Sequence, residues 1–310
     1  MHYFAILLVL SKINWSIQLN EICANGTKEC LIVSEKEEEL LKQPFYIDPN
    51  GFKINWTDPQ DGWNLASRLM QIKLQRRYEY QRKVMPKFTE LGYIKMKIPS
   101  RVFEVILEEK LDHLEPEGCD DKSGTGISIN CRRVDPENGQ YILNNNNFIF
   151  SFGSKLIVER VLKYQLKPIL AQWANVTLGD PMVMYGIRRY TRGARLWGHV
   201  DRIPTHIISA ILQIDQKVDE DWPLYFLDHH NVQCKILLKP GEMLLYESAI
   251  APHGRQDPLK GEYFDNMFVH FTLGTSEYQK LMELKKEIED FMETSVIKND
   301  IQAKFPNLEL

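Results

Sequence analysis

The sequence predicts an α+β fold, a β-sandwich or jelly roll preceded by helices and closed by a C-terminal helix. Three observations carry this reading. Residues 181–273 break into short β-rich runs separated by turns. Residues 63–84 and 154–173 carry apolar side chains at helical spacing. Residues 276–298 form one further amphipathic stretch. With 310 residues, 44% of them hydrophobic and 26% charged, the chain is large enough to bury a substantial core. Its formal net charge of -4 argues against a general nucleic-acid binder, which would be strongly basic.

Taken in order, the chain opens on an apolar run at residues 4–10, of the length of a signal-peptide core and too short to span a bilayer. A secretory signal over residues 1–24 is the expected reading, although no Lys or Arg precedes the run; a buried N-terminal strand is the alternative. Three glycosylation triplets begin at Asn25, Asn55 and Asn175. Of the five cysteines, Cys119 and Cys131 flank a Gly- and Ser-rich turn that a disulfide would close, unless all five are thiols of a cytosolic protein. The chain ends Asn-Leu-Glu-Leu310, loosely like an ER-retrieval tail. The endoplasmic reticulum lumen or secretion is therefore expected, and the cytoplasm if the leader is not a signal. No stable membrane span is expected.

Residues 25–150 read as a helical and loop-rich extension. An acidic patch at residues 35–39 leads into Pro, Gly and Asn punctuation at 44–61. Leu65, Leu69 and Ile72 then mark a helix that Pro86 stops. Its basic stretch, residues 73–87, reads as a solvated face. Residues 93–98 alternate with period two, as in a half-buried strand, and Ser100 is placed to cap a helix over 101–110. Residues 116–147, rich in Gly, Asn and Asp, read as an exposed insertion. Val158, Val161, Leu162, Ile169 and Leu170 share one side of the next helix, which supports the core over residues 151–274. Within that core, strands are predicted at 183–185, 207–214, 224–227, 234–238, 243–246 and 268–272. Residues 275–310 hold the last helix, whose stripe Leu281, Leu284, Ile288 and Phe291 covers the sheet or forms a dimer seam.

The chemistry gathers at His199-Val200-Asp201. Residues two apart on a strand face the same way, so an imidazole and a carboxylate converge on one spot. His253 follows about fifty residues later, beyond a turn and a strand. Two histidines and a carboxylate leave open positions on a metal, as non-haem iron chemistry needs. His229 and His230 read as exposed turn residues, and His206 and His270 as sheet residues rather than ligands.

Arg189, Tyr190, Gly193 and Gly198 leading into His199 and Asp201 resemble the prolyl 4-hydroxylase branch of the Fe(II)/2-oxoglutarate dioxygenases. So do Pro240, Gly241 and Tyr246 before His253, and Asn266 to His270 after it. The resemblance spans residues 181–274 and implies a double-stranded β-helix, the jelly roll of that family. It implies Fe(II) on His199, Asp201 and His253, with 2-oxoglutarate and O2 as co-substrates and ascorbate keeping the iron reduced. The implied reaction is hydroxylation of a peptidyl proline within a peptide or protein substrate. Tyr190 matches a tyrosine that contacts 2-oxoglutarate, and Ser209 falls near a Thr position with the same role. The family places a Lys or Arg about ten residues beyond the second histidine; this chain has Gly261, Glu262 and Tyr263 there. Arg255 is then the expected anchor for the distal carboxylate, with Lys260 second. A cupin-like metalloprotein and an inactive binding module are the alternatives, the latter opposed by the retained Asp201.

If residues 1–24 are a signal, the chain secreted by animal cells should begin within residues 24–28 and carry glycan at Asn55 or Asn175. Glycosidase treatment then shifts its mobility; an unshifted band with intact Met1 would place the protein in the cytosol.

Overall fold

The computed structural model describes residues 20–23, 30–33, 39–43, 45–47, 52–55, 65–111, 147–150, 155–180 and 182–304. Asn25, Cys119, Cys131 and nearly all of the expected leader and insertion lie outside them. Two small hairpins come first. Strand β1 (Asn20–Cys23) pairs with β2 (Cys30–Val33), placing Cys23 opposite Cys30, and β3 (Phe45–Ile47) pairs with β4 (Lys53–Asn55). Helix α1 (Leu65–Val84), β5 (Tyr93–Lys97), α2 (Ser100–Leu111) and β6 (Asn147–Phe150) follow. Then come α3 (Lys155–Val161), a π-helical segment (Leu162–Leu166) and α4 (Lys167–Ala174). The remaining strands are β7 (Val183–Thr191), β8 (Leu196–His199), β9 (Ile208–Val218), β10 (Leu224–Leu227), β11 (Gln233–Ile236), β12 (Glu242–Tyr246), β13 (His253–Arg255) and β14 (Gly261–Phe271). Helix α5 (Thr275–Lys304) closes the described chain.

Two antiparallel sheets dominate, in the orders β5-β12-β9-β14-β7-β6 and β11-β10-β13-β8. Period-two alternation assigns each face of the larger sheet its neighbours. Ala210, Leu212, Met243, Leu245, Met267, Val269 and Phe271 face the helices, packing with Val102, Leu162, Leu170 and Leu281. Ile211, Leu244 and Tyr246 face the smaller sheet, packing with Leu224, Phe226 and Ile236. The larger sheet is thus sandwiched between a helical layer and the smaller sheet.

Several expectations meet the structure at their boundaries. The helix expected at 154–173 is interrupted by the π segment, and its buried positions are Val158, Leu162, Leu166, Leu170 and Ala174. Those residues recur every four. Each four-residue step overshoots a 3.6-residue turn by about 40°, and the wider π turn takes back part of that drift. Residues 93–97 do form a strand, but at the sheet edge: beyond Tyr93 its side chains are exposed, and Lys95 and Lys97 both pair with Glu242. Ser100 lies inside its helix rather than before it. In α5, Leu281 and Ile288 are buried against the helical core, while Phe291 stacks on Tyr80 of α1 at 3.7 Å. Among the described residues no helix is long and apolar enough to cross a membrane.

Two corrections have polar causes. Arg82, read as part of a solvated basic face, is buried and donates to the carbonyls of Leu227 (3.2 Å) and Asp228 (2.5 Å). His229, read as exposed, is also buried: its Nε2 lies 3.0 Å from Glu247, in space that Gly92 leaves by lacking a Cβ. Glu247, fully buried, also accepts from the backbone of Phe88 (3.0 Å) and Thr89 (2.7 Å) and from the Thr89 hydroxyl (2.6 Å). Truncating it orphans all of these groups. Glu247→Ala is therefore expected to lower the unfolding free energy by about 3 kcal/mol or more, with Glu247→Gln milder. Urea denaturation checks this, and an unchanged midpoint for the alanine variant would deny the network its role.

Candidate metal centre

The site is built where β8 and β13 run side by side in the smaller sheet. His253 is the register partner of His199, so the two imidazoles are direct cross-strand neighbours with ring centroids 4.4 Å apart. This close approach needs Gly254, because a Cβ there would sit 2.7 Å from the Leu196 carbonyl and 2.9 Å from the Gly198 nitrogen. Asp201 lies two residues beyond the end of β8, held by its own N–H donating to the Ser248 carbonyl at 2.7 Å. Its Oδ1 is 3.6 Å from His199 Nε2. One ligand atom from each of His199, Asp201 and His253 falls within 4.8 Å of the others, and all three residues are buried.

The protonation pattern suits a metal. His199 Nδ1 is 2.8 Å from the Trp197 carbonyl and His253 Nδ1 is 2.9 Å from the Ala251 carbonyl. A carbonyl only accepts, so each Nδ1 carries the proton and each Nε2 keeps its lone pair. Burial, with His199 alongside, lowers the His253 pKa to about 4, keeping it neutral. Burial opposes ionisation of Asp201, but the polar imidazole surroundings, His199 first, outweigh that cost and hold this carboxyl far below the usual range. Two imidazoles that keep Nδ1 on backbone carbonyls, with one carboxylate, form a donor set for a divalent transition metal.

The adjoining pocket is lined by Arg188, Leu196, Tyr246, Phe268 and His270 together with the three candidate ligands. Burial first, then the charge of Asp201, raises the Tyr246 pKa well above the usual value. Behind the pocket, the Ser209 hydroxyl bonds His270 Nδ1 at 2.8 Å and the Ser248 hydroxyl at 2.6 Å. His270, expected to be a sheet residue, is one, on β14, and it also faces the pocket.

The expected co-substrate contacts separate. Tyr190 is buried, with its hydroxyl 3.4 Å from Arg188 Nη1, and Ser209 stands behind His270. Neither lines the pocket wall. Arg255 is turned away: it donates to the Trp222 carbonyl, reaches Asn266 Oδ1 at 3.5 Å, and lies 4.5 Å from both the Trp222 and Phe264 ring centres. Lys260 is exposed and pairs with Glu220 at 2.9 Å. Sequence reasoning missed Arg188, Tyr246, Phe268 and His270. For Arg188 a signal was present, since it stands two residues from Tyr190 on the same strand and so on the same face.

No family model matches the chain, and no curated protein matches its sequence. Among solved structures it is similar to a prolyl-4-hydroxylase of Pseudomonas putida, at 14% identity over 59% of this chain and 94% of that one, with a TM-score of 0.43. It is similar to a prolyl hydroxylase of Trichoplax adhaerens, in complex with a hypoxia inducible factor peptide fragment, at 13% identity, 67% and 94% coverage and a TM-score of 0.41. A 2OG-Fe(II) oxygenase family oxidoreductase of Burkholderia pseudomallei matches at 8% identity, 64% and 89% coverage and a TM-score of 0.41.

His199→Ala and His253→Ala are each expected to weaken Mn(II) or anaerobic Fe(II) binding by about 100-fold or more, since each removes a direct ligand. Exposed His230→Ala is the control. Calorimetric titration reads the affinities, and wild-type affinity in either variant would remove that histidine from the ligand set.

Proposed function

We propose that this chain is an iron(II)- and 2-oxoglutarate-dependent dioxygenase of the prolyl 4-hydroxylase-like kind, hydroxylating a peptidyl proline in the secretory pathway. The observation that carries the reading is the buried cluster of His199, Asp201 and His253, with both Nε2 lone pairs free and both Nδ1 protons committed to backbone carbonyls. The strand order supports a jelly-roll core, since β7, β9, β12 and β14 lie in one sheet and β8, β10, β11 and β13 in the other. When bound, iron with 2-oxoglutarate and O2 supplies the oxidising chemistry that places one oxygen atom on a C–H bond and the other in succinate, with release of CO2.

The protein's own side chains do the rest. His199, Asp201 and His253 would hold the metal in a fixed orientation. Leu196 and Phe268 give the pocket apolar wall, which excludes water from an oxidising centre. Tyr246, kept protonated by burial, shares the pocket wall with Asp201. Ascorbate fits this reading as the reductant that restores iron(II). Compartment is supported by Asn175, exposed at the end of α4 with Thr177 exposed beside it, a position open to glycan.

Incubating the protein with Fe(II), 2-oxoglutarate, ascorbate and a library of proline-containing peptides should release succinate and add one oxygen atom to a peptide. Asp201→Ala should abolish both signals, and replacing the modified proline should abolish the peptide product. Succinate release equal in wild-type and Asp201→Ala protein would sink the oxygenase reading; succinate without any peptide product would redirect the substrate search to small molecules.

A further inference from the structure

The oxygenase reading leaves a charge to be placed. The co-substrate is a dianion: one carboxylate goes to the metal, and the other must find a cation within the pocket, since burying it unpaired would cost several kcal/mol. The family that residues 181–274 resemble carries that cation about ten residues beyond the second histidine, a position that falls on β14 here. On β14 the position ten beyond His253 is Tyr263, bonded at 3.0 Å to Asp215, and the residues that reach the pocket are Phe268 and His270. His270 is no substitute, because its Nδ1 is already engaged by the Ser209 hydroxyl at 2.8 Å. Arg255 is committed to the Trp222 carbonyl, and Lys260 is outside on the surface.

One arginine does line the pocket. Arg188 stands on β7, the strand next to β14, as the register partner of Asn266. Only 7% of it is exposed, yet its Nε is buried without a hydrogen-bond partner, and among the described residues no carboxylate pairs with it. Its one side-chain hydrogen bond is the long 3.4 Å contact to the Tyr190 hydroxyl. Its guanidinium carbon lies 5.2 Å from the centre of the Phe268 ring, which fixes it against the pocket wall. Arg189, the next residue, faces away and is taken by Asp265 at 2.7 and 2.8 Å. A buried guanidinium with an unused donor, in the same pocket as three metal ligands, is a site for an anion.

We propose that Arg188, assisted by Tyr190, binds the distal carboxylate of 2-oxoglutarate, so that the anchoring cation has moved one strand over, from β14 to β7. This rests on the oxygenase reading and deepens it. Tyr190 then acts only through Arg188, accepting from the guanidinium at its phenol oxygen rather than lining the pocket itself.

The test compares two keto acids on the Mn(II)-loaded protein by calorimetric titration, a binding readout independent of turnover. Pyruvate keeps the metal-chelating end of 2-oxoglutarate and lacks the distal carboxylate. Arg188→Met keeps the apolar stem and removes the charge, while Arg188→Lys keeps a charge without the fork; a thermal melt checks that each is folded. Arg188→Met is expected to weaken 2-oxoglutarate binding by about tenfold or more and leave pyruvate binding within about twofold, with Arg188→Lys intermediate. Undiminished 2-oxoglutarate binding by Arg188→Met, or equal losses for both keto acids, would overturn the anchor alone. If wild-type protein binds Mn(II) but neither keto acid, the oxygenase reading falls and the anchor with it.

Discussion

The loop that carries Asp201 depends on one buried amide. Gln81, on α1, donates from Nε2 to the Asp201 carbonyl at 3.0 Å and to the Ala249 carbonyl at 2.7 Å, joining the loop after β8 to the turn before β13. These are the two segments that carry the candidate ligands. Six residues earlier, Gln75 donates to the Gly198 carbonyl at 2.6 Å, and Arg82 takes the carbonyls that end β10. Loops that bend to present ligands cannot satisfy their own backbone acceptors, and buried acceptors left without donors cost about 1–3 kcal/mol each. Helix α1 supplies those donors from side chains. Its role explains why a helix with so many polar residues is buried at all: part of its buried face is amide and guanidinium, matched to carbonyls instead of to a hydrophobic surface.

That constraint shapes how the site relates to the sandwich. Where it packs on the helices the larger sheet is apolar, whereas the inner side changes character along its length. Ile211, Leu244 and Phe226 fill one part of it, and Ser209, Ser248, His206, His270 and Arg188 occupy the part next to the ligands. Buried polar groups are tolerable where they bond to each other, and the Ser209–Ser248–His270 contacts at 2.6 and 2.8 Å do this. Rigidity is gained in exchange for apolar packing, and it holds His270 in place beside Asp201 at 3.6 Å.

How much of this was legible in the sequence follows the range of the interactions. The candidate ligands were readable because His199 and Asp201 are two residues apart where β8 ends, and because a sandwich returns a later strand to the same place. Most strands of residues 183–273 were readable for the same reason, and the failures are nonlocal. His229 is buried by Glu247, a partner eighteen residues away that no local pattern announces. Arg82 looks like its basic neighbours on α1 until the carbonyls it meets are known. Arg255 stands two residues from His253, but the β13–β8 register shifts between them, and Trp222 and Phe264 arrive from other elements to enclose its guanidinium.

Arg188 is the instructive case, because Arg188 and Arg189 are identical in type and opposite in fate. Alternation sends one inward and one outward, and the placement of Tyr190 inward selects Arg188. Formal charge gives the selection its weight. A divalent metal contributes two positive charges, Asp201 one negative and 2-oxoglutarate two negative. The loaded pocket would then hold one uncompensated negative charge, and Arg188 brings the sum to zero. Before loading, the apolar walls would surround an arginine without its anion, and an arginine side chain does not relieve such burial by losing its proton. The same residue therefore opposes an empty pocket and favours a filled one. That asymmetry is what a co-substrate site requires, since binding must be strong enough to recruit the dianion and must depend on both of its ends.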